Sequence, residues 1–178
     1  MYPKINSVVI RLVVLLVLVA SSAAQSGPKL RISGTGITTM DFSAADLSQL
    51  PRLSVDVQNS HNGQTERYEG VRVSDLLAKA GAPLGDKLRG RAMNTYVRAM
   101  ASDGYSVVYS LAELDPAFHE NQAIVADRLD GKPLDAKEGP LKVVVPGDKR
   151  PARWIRMLTE LKVESASPSD PAQPATMK

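Results

Sequence analysis

Lys149, Arg150 and Arg153 place three cations within five residues, directly after the turn Val145-Pro146-Gly147, and Lys142 lies close by. Guanidinium groups bind phosphate or carboxylate in a bidentate fork, and the amide exposed at Gly147 can donate to the same anion. The same run would also serve as a solvated basic turn between two strands. A second polar cluster is Gln58-Asn59-Ser60-His61-Asn62-Gly63. Ser60 and His61 could reach a metal from it, whereas Asn59 offers only a neutral, hard amide. Asn62-Gly63 tolerates positive φ at both residues, so the cluster equally suits a plain hairpin tip. Asp103 and Tyr105 in ASDGY could hydrogen-bond a ligand, or form a hairpin turn and a cross-strand packing residue. Arg98, on the strand before them, is a ligand contact or an exposed strand residue by the same argument.

Other chemistries lack their residues. The chain has no cysteine and two histidines, His61 and His119. That removes disulfides, thiolate zinc sites, iron–sulfur clusters, cysteine nucleophiles and multi-histidine metal centres. Gly34-Thr35-Gly36 lacks the spacing of a nucleotide loop, and neither a Gly-x-Ser-x-Gly elbow nor a His-Glu-x-x-His pair occurs. Two phenylalanines and five tyrosines give no stacking platform for single-stranded nucleic acid. The formal charge of +3 counts Lys4 and Arg11, which lie in a leader without acidic residues. Without that leader the domain is near neutral, so no general electrostatic case for nucleic acid exists.

That leader is expected at residues 1–24. Lys4 and Arg11 form a positive start, residues 12–20 are an apolar run too short for a comfortable span, and Ser22-Ala23-Ala24 offers small residues for cleavage. The expectation is an exported protein, periplasmic or secreted, with no membrane span after cleavage. Residues 25–164 then form one domain of ordinary size, and residues 165–178, rich in Ser, Pro and Ala, read as a disordered tail.

The elements that must position the site follow from periodicity. Leu30-Arg31-Ile32 predicts a strand, and Ser43 with Asp46 predicts a capped short helix ending before Pro51. Leu53, Val55 and Val57 alternate with polar residues, a half-buried strand that should return through residues 65–68. A helix is predicted over 74–80, with Ser74 as N-cap and Gly81 and Pro83 as its stop. Residues 95–100 and 105–109 predict a second hairpin, and Ser110 with Glu113 a capping box. Residues 123–126 predict a short strand. The apolar run 141–145 reads as a central strand, and 154–163 as the last, with Ile155, Met157, Leu161 and Val163 on one face. Short strands with two or three short helices predict an α+β domain with a mixed β-sheet.

Two segments resemble a known family. YEGVRVSDLLAKAG (68–81) and LKVVVPGDKRPARW (141–154) are similar to the sulfite-oxidase-type molybdopterin-binding domain, a likeness covering about residues 30–163. The resemblance implies that Gln58 matches the family's glutamine and that Asn59 stands where its molybdenum-ligating cysteine would. It also implies that Val145-Pro146-Gly147 and Arg153-Trp154 lie near a pterin and its phosphate, and that Asp103-Gly104-Tyr105 lies on the substrate side. Molybdopterin is a possible cofactor on this ground alone. Two functions follow. One is a non-catalytic binding or accessory module for an anionic ligand or a periplasmic protein partner. The other is a molybdopterin-dependent oxidoreductase with an altered metal ligand. A cleft lined by Arg98, Asn59 and Arg153 is expected if the ligand site is retained.

Overall fold

The computed structural model describes residues 29–59, 62–120 and 122–166. The expected leader, Ser60, His61 and the tail from residue 167 lie outside these. Ten strands are described: β1 (Lys29–Gly34), β2 (Met40–Ser43), β3 (Arg52–Gln58), β4 (Thr65–Arg72), β5 (Thr95–Ala101), β6 (Ser106–Ser110), β7 (Ile124–Leu129), β8 (Lys132–Pro133), β9 (Lys142–Val144) and β10 (Leu158–Ser165). Three α-helices join them: α1 (Ala44–Ser48), α2 (Val73–Ala80) and α3 (Leu111–Leu114). One sheet runs β2-β1-β10-β5-β6, with β1 and β10 parallel and the other pairs antiparallel. The second sheet runs β3-β4-β7-β8, and β9 also pairs with β7. This is the mixed α+β architecture that the periodicity predicts.

Local chemistry accounts for most boundaries. Ser43 and Asp46 form a reciprocal capping box on α1. Ser110 accepts from the Glu113 amide at 3.2 Å, but the Glu113 carboxylate turns to Arg153 at 2.8 Å. Helix α2 starts one residue earlier than the pattern suggests. Its N-cap is Arg72, without a side-chain cap, and Ser74 is buried rather than capping. Val73, Leu76, Leu77 and Ala80 are buried on its inner side, each leucine worth about 1.5–3 kcal/mol of transfer free energy. Gly81 closes the helix in the left-handed region, φ 89°.

Two further sequence expectations are corrected by the fold. The apolar run at β9 is not a central strand: among the described residues its strand partner is β7 alone. Its other side is covered by residues 155–158, through Val143 N–H to the Ile155 carbonyl at 2.8 Å and Leu158 N–H to the Leu141 carbonyl at 2.8 Å, without a strand ladder. Burial on all sides explains the apolar run without a second strand. The last strand begins at Leu158, not Trp154, and includes Ser165, the first residue assigned to the tail. Residues 151–153 form a 3₁₀ turn, Met157 has φ 49°, and the register shifts between Leu158 and Glu160. An extra residue at a bulge breaks the two-residue alternation, so a single face from Ile155 to Val163 does not exist.

The larger apolar cluster packs α2 against the first sheet. The smaller one, with Val57, Tyr68, Ile124, Ala126 and Val144, lies in the second sheet. Trp154 packs against both.

Candidate functional site

A cleft of about 680 Å³ opens where the second sheet meets the β5–β6 turn and residues 148–156. Its volume lies in the usual range for small-molecule sites, about 300–1,000 Å³. Asn59 enters it from the end of β3, Asp103 and Tyr105 from the β5–β6 turn, and Lys149 from the loop after β9. The structure therefore gathers four of the residues singled out from the sequence. Ser60 and His61 lie outside the described residues, and four further candidates do not line the cleft. Arg98 is paired with Glu164 of β10 at 2.9 Å and does not line the cleft. Gly147 is an exposed turn residue with φ 95°, and Arg150 is exposed on the same loop; neither is among the lining residues. Arg153 is also not a lining residue. Its guanidinium binds Asp148 through Nη2 at 2.7 Å and Nε at 3.2 Å, binds Glu113 at 2.8 Å, and stacks over Tyr109 at 5.3 Å. Hydrogen bonding to Asp148 holds its pKa well above the ordinary arginine value. This arginine fastens the loop and presents no free fork to a ligand.

Asp103 and Tyr105 line the cleft while holding its frame. Asp103 accepts from the Tyr105 amide at 2.9 Å, closing the turn. The Tyr105 hydroxyl donates to the Ala152 carbonyl at 2.9 Å, and the Tyr109 hydroxyl donates to the Arg153 carbonyl. Both phenols thus tie β6 and its turn to the loop that carries Lys149 and Trp154.

A row of polar groups forms the inner wall, and residue types and spacing alone do not assemble it. Asn59 Nδ2 donates to Glu66 at 2.5 Å, and the Tyr68 hydroxyl donates to the same carboxylate at 3.0 Å. Lys142 Nζ donates to the Tyr68 oxygen at 3.2 Å and pairs with Glu138. Arg156 reaches Glu138 at 3.7 Å. Lys142 is only 6% exposed, a buried cation that must be paired to be tolerated. Its ammonium also lies 4.9 Å from the Tyr68 ring centre and 5.6 Å from that of Trp154. Burial, then the charge of Glu66, raises the Tyr68 pKa far above the ordinary tyrosine value, so the phenol stays protonated and donates. Trp154 meets Tyr68 edge-to-face at 6.1 Å. Its indole N–H is buried and has no hydrogen-bond partner among the described residues. The available sequence signal is Lys142 itself, the one charge inside the apolar run 141–145, four residues after Glu138.

The wall bears on the cofactor implied by the family resemblance. Molybdenum in that family is anchored by a thiolate, and this chain contains no cysteine. Asn59 engages Glu66 instead, and no group of three or more His, Cys, Asp or Glu among the described residues could hold a metal ion. The donor set does not fit the metal's usual anchor. The aromatic pair Tyr68 and Trp154, with Lys149 and Arg156 also lining the cleft, does fit a flat ring bearing an anionic group.

Comparison with known proteins bears on the fold and the family. Among solved structures, the chain is similar to the sulfane dehydrogenase SoxCD from Paracoccus pantotrophus. The TM-score is 0.61 with 18% identity, over 78% of this chain and 38% of that one. At that identity the likeness is one of fold, and this chain spans well under half the length of its neighbour. Comparison with curated proteins gives no match. The family described as the oxidoreductase molybdopterin binding domain matches residues 21–171, nearly the whole sequence, and the chain belongs to that family.

Proposed function

We propose that this protein is a non-catalytic binding module, exported to the periplasm or beyond the cell. Its cleft holds a pterin-type ligand with an anionic end, and it acts through a protein partner. The observation that carries this reading is the cleft itself. It keeps an aromatic and cationic lining around Trp154 while its chain offers no thiolate to orient a metal. Imprecise placement of a reacting centre is costly, and the inner wall is committed to its own hydrogen bonds rather than to a reacting group. Lys149 is exposed and forms no ion pair with the described residues, which suits it to the anionic end.

The test is to purify the protein from a host that makes and exports molybdopterin, then measure molybdenum and pterin per chain. Pterin without stoichiometric molybdenum is the expected result. One molybdenum per chain would overturn the non-catalytic reading in favour of a molybdopterin-dependent oxidoreductase with an altered ligand. Lys149→Gln combined with Arg156→Gln should lower pterin occupancy about 10-fold, as expected for losing charge-assisted contacts.

A further inference from the structure

The cleft contains an ion pair that a site for small oxyanions would not be expected to carry. Lys142 is the most deeply buried cation lining it, with a side chain 8% exposed. Its partner Glu138 also lines the cleft and reaches Arg156. Glu138 is held by its backbone. The Asp135 carboxylate accepts from the amides of Lys137 and Glu138 at 2.9 Å each, and the Asp135 carbonyl accepts from Gly139 at 2.8 Å. The Glu138 carbonyl accepts from Met157 at 3.2 Å. A Cβ on Gly139 would come within 2.8 Å of the Leu134 Cβ, so the turn is packed tightly against Leu134. Glu66 lies beyond Tyr68 in the same row, and the Tyr68 hydroxyl proton is already directed to it.

We propose that Glu138 is an internal counter-ion that closes the inner end of the cleft to small oxyanions, so that the ligand's inner end must be uncharged. An anion that sought Lys142 would face two carboxylates and no uncommitted phenol donor. Like charges brought together in a partly desolvated site are strongly disfavoured. An uncharged flat ring meets no such opposition and gains contact with Trp154. The ligand class is therefore an uncharged heteroaromatic ring whose anionic substituent stays at the outer end, beside Lys149. This rests on the cleft being the ligand site and adds which end of the ligand enters first.

The test uses inorganic sulfate as probe, by equilibrium dialysis of the whole chain at constant ionic strength. The wild-type protein should show no saturable sulfate binding at the inner end. Glu138→Gln should bind sulfate at least about 10-fold more tightly, because a fixed like charge is removed, and adding Lys142→Met should abolish that gain. Saturable binding by the wild-type protein that Lys142→Met removes would overturn the proposal. So would a Glu138→Gln protein that binds no more tightly than wild type. Should Glu138→Gln unfold alone, sulfate should restore its near-UV signal while the double variant folds without it; an unfolded state at every sulfate concentration also sinks the idea. Pterin is absent from this readout, so failure here and failure of the pterin reading are separate results.

Discussion

Arg153 is held by Asp148, Glu113 and the Tyr109 ring together. Its side chain is 40% exposed, so solvent screens these pairs and Arg153→Ala should cost only about 1 kcal/mol in urea unfolding. Arg153→Lys should recover less than half of that, because an ammonium cannot bind Asp148 with two parallel bonds. Tyr68 and Tyr109 predict a pH effect. Burial raises both pKa values far above the ordinary tyrosine value. A raised folded pKa keeps the proton on the folded state after the unfolded chain has lost it. The stabilisation is therefore complete below the unfolded value of about 10 and is lost as pH rises beyond it. Ultraviolet titration should show these two phenolates forming only as the fold is lost. At this scale the sequence is a partial guide. Residue type and loop position, taken with the family resemblance, bring out Asn59, Asp103, Tyr105 and Lys149, which line the cleft. They mislead at Arg153, because its acidic partners are 5 and 40 residues away, and no local pattern shows that they meet.

The strands illustrate a different limit. Hairpins β3–β4 and β5–β6 are legible because alternation and turn residues are local signals. The position of β9 is not, since an apolar run reports burial but not which neighbour provides it. Gly70 shows what neighbours can demand. It lies in β4 beside a register shift against β7, and a Cβ there would stand 2.0 Å from the Val125 carbonyl oxygen. Backbone cannot yield as a side chain can, so Gly70→Ala should cost about 3 kcal/mol or more, or prevent folding. Gly63 offers the contrast. Its φ is 70°, and a Cβ added there would meet nothing within 4 Å among the described residues, so Gly63→Ala should cost only the roughly 1–2 kcal/mol of a left-handed alanine. Thermal melts of the two variants separate a clash between strands from a turn preference.

Across the whole molecule, the larger apolar cluster joins residues of both sheets, and Trp154 packs against it and against the smaller cluster. Composition and strand pattern predict the α+β class, but the row of polar groups along the cleft comes from four separate parts of the chain. Trp154 stands where the two clusters meet, lines the cleft and is the sole tryptophan of the sequence. Its emission therefore arises from one place, with no background from a second indole. Any molecule entering the cleft would alter the polarity around that single fluorophore or accept its excitation energy. The protein carries its own optical gauge of occupancy, and candidate ligands can be ranked by light alone, without label or partner.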